Sequence, residues 1–408
     1  MTVNPVWPFT KQIDKFGYIN NPNWTEEVAD PNKHNPCGYW WSGEGSGEGI
    51  EMSQPCASPG YLWVCGFNGS GQLGLGDTNN KKDLTLVGSD TWKAISSGWY
   101  HNTAAIKSDD TLWVCGSNSR GQLGLGSTVN KYELTPVGID KWKQASFGYF
   151  DLSAIKSDGT LWSCGENSYG SLGLGNEEEI HELNQVGSDT WKQISCGYWC
   201  LYAIKSNSTL WSCGNNDYGQ LGLGDEKDRN ILNSVSTDKW KQVDGGTFFF
   251  FAIKDDDTLW ACGQNSYYQL GLGDFLQRNE LTPVGTDKWK QVSAGWNFTW
   301  AIKSDGTLWS CGNNTFGQLG LGDNSPRDEL TLVSSDTWKQ VDVGGFSSFA
   351  IKSDDTLWSC GRNNFGQLGL GDTINRNILT PVGTRTWKCI AIGYLHTLAY
   401  SLEPEIWI

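Results

Sequence analysis

The element LWxCG occurs seven times, with its cysteine at Cys65, Cys115, Cys164, Cys213, Cys262, Cys311 and Cys360, one step of 50 residues followed by five of 49. A second marker, Trp-Lys, keeps the same period at Trp92, Trp142, Trp191, Trp240, Trp289, Trp338 and Trp387. A chain that repeats itself this closely builds one small unit seven times, and each unit must bury its faces against its neighbours. Runs such as WKQVSAG, FTWAIKS and TLWSCG alternate or are β-branched and aromatic, bounded by Ser-Asp-Gly, Asn-Asn and glycine-rich turns. No helical periodicity is visible, and each unit supplies about four short strands. Four strands in a period near 50 predict an all-β fold, a seven-bladed β-propeller of four-stranded blades.

Composition narrows the function classes. Glycine accounts for 51 of 408 residues and tryptophan for 23, while only 18% are charged, which excludes collagen, coiled coil and disorder. A formal charge of -15 argues against direct nucleic-acid binding, which needs clustered Lys and Arg. No apolar run is long enough for a signal-peptide core or a membrane span, so the expectation is a soluble protein without membrane insertion, cytoplasmic or virion-associated. Seven of the 12 cysteines sit at one repeat position, which indicates packing rather than disulfide pairing and a reducing compartment.

The chain ends predict how the ring closes. The first unit begins midway, at Tyr61-Leu62-Trp63, and the last runs from Trp387 through GYLHTLAYS, so the termini hold complementary parts of one composite blade. Ile406-Trp407 repeats the strand that Leu62-Trp63 already provides, and the N-terminal copy is expected to take the slot. Residues 61–408 are read as the propeller. Residues 1–60, rich in Pro, Asn, Trp and Gly, are read as an irregular arm that caps one side or attaches to a partner.

The elements LWxCGxN and GQLGLGD, with strands of the GYLHT type, closely resemble the regulator of chromosome condensation repeat family over residues 61 to about 402. The resemblance implies the propeller fold, and its best-known activity is guanine nucleotide exchange on the Ran GTPase. The nuclear exchange factor carries a projecting wedge, for which the constant spacing leaves no room. A plant UV-B photoreceptor of the same family has a GWRHT pattern, but GWYHN here lacks its arginine.

Seven internal copies separate what the blade requires from what is free to vary. The glycine loop QLGLG and the triplet AIK are nearly invariant, and Asp225, Asp274, Asp323 and Asp372 each precede an arginine by four residues, as expected of a local ion pair. The segment after the glycine ending the WKQ strand is aromatic in every copy yet never the same. It supplies the candidate partner-binding residues Trp99, Tyr100, Tyr149, Phe150, Tyr198, Trp199, Phe248, Trp296, Phe346 and Tyr394. Rings exposed together there would suit a protein partner first and a glycan second.

Catalytic chemistry is not indicated. His396 and His101 fall at nearly equivalent places on consecutive blades, with Asp151 on the next, but hydrogen bonding accounts for them more simply than a metal does. No Ser-His-Asp pattern, paired zinc spacing or phosphate loop is present. The sequence therefore reads as a non-enzymatic interaction or structural scaffold without cofactor or metal, including a component of a larger assembly such as a virion. An exchange-factor-like regulator of a small GTPase is the alternative.

Overall fold

The computed structural model describes residues 59–403. Nearly all of the expected arm, Cys37, Cys56 and the Ile406-Trp407 dipeptide lie outside the described residues. Every regular element among these is a β-strand, and none forms a helix long and apolar enough to cross a membrane.

Strands β1 (Gly60–Gly66), β2 (Lys81–Ser97), β3 (Asn102–Lys107), β4 (Thr111–Gly116) and β5 (Lys131–Phe147) set the pattern. The second half of β2, from Trp92, pairs antiparallel with β3, β3 with β4, and β4 with the first half of β5. The second half of β5, from Trp142, then pairs with the next strand along. One long strand thus ends a four-stranded group and begins the next, with Gly138 between the halves in the left-handed region (φ 64°). We number these groups, or blades, 1 to 7 by their innermost Trp-Lys strands, from Trp92 to Trp387.

Blade 7 draws on both ends of the chain. Cys389–Ile392 pairs with His396–Ser401, which pairs with β1, which pairs with the first half of β2. The Leu62-Trp63 copy of the repeated strand occupies the slot, with Trp63 opposite Ala399.

Burial follows the blade faces. Seven apolar clusters lie between successive groups: Leu112 and Val114 of blade 1 meet Trp142 and Phe147 of blade 2, and Leu62 and Leu398 of blade 7 meet Trp92 and Ile95 of blade 1. The repeated thiols cross the same seams. Cys115 Sγ donates to Gln72 O at 3.6 Å, and Cys311 Sγ to Gln269 O at 3.6 Å, each in the glycine loop of the preceding blade. The ten described cysteines are free and buried, in keeping with a packing role, and burial pushes the repeated thiols up. The ion pairs expected in the glycine loops are also present, with Arg229 to Asp225 at 2.7 Å and Arg327 to Asp323 at 2.6 Å.

Nearest the axis, glutamine side chains join one innermost strand to the next. Gln144 Nε2 donates to Ile194 O at 2.9 Å while its Oε1 accepts the Ile194 amide at 3.0 Å. Gln193 does the same to Val243, Gln242 to Val292, and Gln291 to Val341. Ala94 and Cys389 stand at the equivalent positions of blades 1 and 7, so the seams entering and leaving blade 1 lack this tie.

These pairings support a closed ring of seven blades. Deleting residues 387–408 would remove two strands of blade 7 and leave β1 with an unpaired edge, a template for association. Light scattering and thermal melting of that truncation should show aggregation and loss of cooperative unfolding; a monomer with unchanged melting would contradict closure.

Candidate aromatic recognition face

The innermost strand of each blade ends in a glycine and turns back after two residues. The Gly197 amide donates to Cys200 O at 2.8 Å and the Gly148 amide to Asp151 O at 2.9 Å, closing each turn. Blade 1 has one residue more: the Gly98 amide reaches Asn102 O, and His101 takes up the excess in the left-handed region (φ 57°). These turns lie against the glycine that ends LWxCG. A Cβ on Gly214 (φ 107°) would stand 2.1 Å from Trp199 O, so the constant glycine is required by the close approach of the variable turn.

Aromatic side chains from the turns form a nearly continuous belt. Tyr100 meets Phe150 at 4.4 Å between ring centres, Tyr149 stacks on Tyr198 at 4.6 Å, and Tyr198 meets Phe248 at 5.0 Å. Trp296 meets Phe346 at 4.6 Å, Phe346 meets Tyr394 at 5.9 Å, and Tyr394 approaches His101 at 6.2 Å. Between Phe248 and Trp296 the link is polar, with Thr247 Oγ1 donating to Trp296 O at 2.7 Å.

The candidate residues divide by burial. Tyr100, Phe150, Trp199, Phe248, Trp296 and Phe346 keep part of their surface in solvent. Trp99, Tyr149, Tyr198 and Tyr394 are buried, which corrects their assignment as contact residues. They follow the glycine directly, where the turn directs the side chain inward. Trp99 is fully enclosed and shares an apolar cluster with Ile194 and Cys196 of blade 3, with Trp296 of blade 5 at its edge, so it bridges blades that are not neighbours.

A second tier of rings supports the belt and was not among the sequence candidates. Tyr169 packs on Trp199 at 4.7 Å, Tyr218 on Phe248 at 5.0 Å, and Phe316 on Phe346 at 5.0 Å. Each supporting ring comes from the loop after LWxCG in the preceding blade. Arg120 takes that place beneath Phe150 at 5.9 Å, and Arg362 lies over Phe316 at 5.3 Å. The signal in the sequence is the residue before the glycine of NxxG, aromatic at Tyr169, Tyr218, Phe316 and Phe365.

Trp199 has a further distinction. Its backbone is left-handed at φ 64°, a conformation that costs a bulky residue on the order of 1–3 kcal/mol and persists only where the surroundings impose it.

The polar residues beneath the belt are structural. His396, rather than His101, is equivalent to Asn102 once the extra residue of blade 1 is counted. His396 Nε2 lies 3.2 Å from Asn102 O and 3.3 Å from Thr103 Oγ1, a tie across the seam between blades 7 and 1. Burial lowers the histidine pKa values, to about 4 for His101 and about 3 for His396, so both are neutral at physiological pH. Asp151 is fully buried, and neither of its oxygens meets a hydrogen-bond partner among the described residues. Burial, with Glu166 nearby, holds its carboxyl well above the ordinary 3.8.

Asp151 gives stability a definite pH dependence. The unfolded chain ionises this group near pH 4 while the folded chain keeps it protonated, so its contribution to stability falls as pH rises from about 4 to the folded pKa. The slope for one such group is at most about 1.4 kcal/mol per pH unit. Urea unfolding between pH 4.5 and 7.5 should show Asp151→Asn gaining on the parent protein as pH rises; parallel curves would refute the assignment.

The RCC1-like domain profile matches residues 56–338, and RCC1 repeat profiles match residues 338–367 and 354–400. No curated protein sequence matches significantly. Among solved structures, human WBSCR16 is similar with a TM-score of 0.75 at 20% identity, over 84% of this chain and 99% of that one. Prp20p from Saccharomyces cerevisiae, described with its binding properties to Gsp1p and histones, gives a TM-score of 0.75 at 16% identity over 86% and 93% of the two chains. The structure of Kap60 bound to yeast RCC1 (Prp20) gives 0.75 at 14% identity over 94% and 97%. At these identities the likeness shows the fold; together with a profile spanning more than half of the sequence, it establishes that this chain belongs to the RCC1-like domain family.

Proposed function

We propose that the protein is a non-enzymatic interaction scaffold that holds a protein partner on its aromatic face. The observation that carries this reading is the belt of part-exposed rings, Tyr100, Phe150, Trp199, Phe248, Trp296 and Phe346, backed by a second tier that fixes their positions. Preformed aromatic surface suits a binding hot spot because little side-chain freedom is lost on association. The left-handed backbone at Trp199 adds support, since such strain collects at functional positions. Prp20p binds proteins on the same fold, which favours a protein over a glycan. It also supports a second reading, regulation of a small GTPase by nucleotide exchange.

A photo-crosslinking residue placed at Phe150 or Phe346 should capture one discrete protein in the native cell, whereas the same group at the exposed Ile139, within β5, should not. Capture from Ile139 alone would move recognition off the aromatic face. In the captured complex, alanine at Phe150, Trp199 and Phe346 together should weaken affinity by tenfold or more while leaving the fold intact. Purified protein that accelerates nucleotide release from a small GTPase would replace the scaffold reading with the exchange reading.

A further inference from the structure

Two residues beyond the glutamine position, the innermost strands carry Ser96, Ser146, Ser195, Ser293 and Ala391, but Asp244 in blade 4 and Asp342 in blade 6. A hydroxyl is enough for the task at this position. Ser146 Oγ accepts the Cys196 amide at 3.1 Å, and Ser195 Oγ accepts the Gly245 amide at 2.9 Å, each from the next blade. The aspartates do the same with one oxygen: Asp244 Oδ2 accepts the Ala294 amide at 2.8 Å and Asp342 Oδ2 the Ile392 amide at 2.7 Å. Each carboxyl therefore brings a second oxygen, and a charge, that the interblade bond does not need.

Both groups are buried and line one axial cavity with Gln242, Gln291, Ser293 and Gln340. Ser293, in blade 5 between them, donates its one proton to Asp342 Oδ1 at 3.1 Å and is also within hydrogen-bonding reach of Asp244. A single hydroxyl proton cannot serve both carboxylates. The lysines on the same innermost strands as the aspartates are engaged elsewhere, Lys241 with Asp257 and Lys339 with Asp355.

A separate observation points into the same cavity. Gln340 is 1% exposed and its Oε1 meets no hydrogen-bond partner among the described residues, unlike the corresponding oxygens of Gln144, Gln193, Gln242 and Gln291. An acceptor oxygen and two carboxylates thus face a space with room for about one water-sized body.

We propose that this cavity binds one hard divalent cation of the Ca²⁺ class, held by the carboxylates of Asp244 and Asp342 with Gln340 Oε1 and Ser293 Oγ as neutral oxygen ligands. Two negative charges out of contact with water call for two positive ones. Ca²⁺ accepts an irregular shell of carboxylate and amide oxygens, whereas Mg²⁺ demands near-ideal octahedral geometry and retains several waters, for which the cavity has no space. Among the described residues no group of three or more His, Cys, Asp or Glu is placed to hold a metal, so transition-metal chemistry is not part of this assignment. The ion would tie blades 4 and 6 together through blade 5.

The test is titration calorimetry on the full chain after treatment with EDTA. One Ca²⁺ per chain should bind, Mg²⁺ at equal concentration should not displace it, and Asp244→Asn or Asp342→Asn should weaken binding at least tenfold. Absence of Ca²⁺ binding, or equal binding by folded variants, would overturn the proposal. Should the variants not fold, crystals of the unaltered protein grown with Sr²⁺ decide the question. An anomalous peak between Asp244 and Asp342 supports the site, and its absence there refutes it.

Discussion

The structure depends on how the innermost strands are satisfied at their free edge. Each pairs with one strand of its own blade, and its other edge faces the neighbouring blade near the axis. Buried amide and carbonyl groups there would be costly if unpaired. A glutamine side chain carries the same donor and acceptor as a peptide unit, and Gln144, Gln193, Gln242 and Gln291 each present both to one backbone residue of the next blade. The ties let blades pack closely around an axis without merging into one continuous sheet. Apolar clusters and cysteine thiols then complete each seam farther out.

Blade 1 is the exception on both sides. Ala94 and Cys389 supply no amide, its turn has an extra residue, and Trp99 fills space shared with blades 3 and 5. Packing against Trp99 and the His396 contacts take over where the glutamine ties are missing. The division of labour across the repeat follows. Positions that bridge blades are constant because seven seams ask the same thing of them, and the turns after the innermost strand vary because nothing at the seams fixes their identity.

Much of this was legible in the sequence. The period, the strand runs and the thiol position follow from internal comparison, and the LWxCG glycine is constant because the next turn leaves no room for a Cβ. The orientation of the aromatic turns was not legible. Residues one and two after the glycine are equally aromatic, yet the turn sends Tyr149 and Tyr198 inward and leaves Phe150 and Trp199 at the surface. The register of blade 1 was hidden for a related reason, since only the left-handed backbone at His101 reveals which residue is extra. The supporting rings Tyr169, Tyr218 and Phe316 sit about 30 residues before the rings they touch, and only the ring geometry brings them together.

The account rests on the glutamine ties, and residue-resolved amide hydrogen exchange tests them directly. The amides of Ile194, Val243, Val292 and Val341 should exchange only through global unfolding, while those of Ile95 and Ala145, which follow Cys389 and Ala94 around the ring, should exchange at least tenfold faster. Equal protection at all six positions would show that the ring is held by apolar packing alone and would contradict the account.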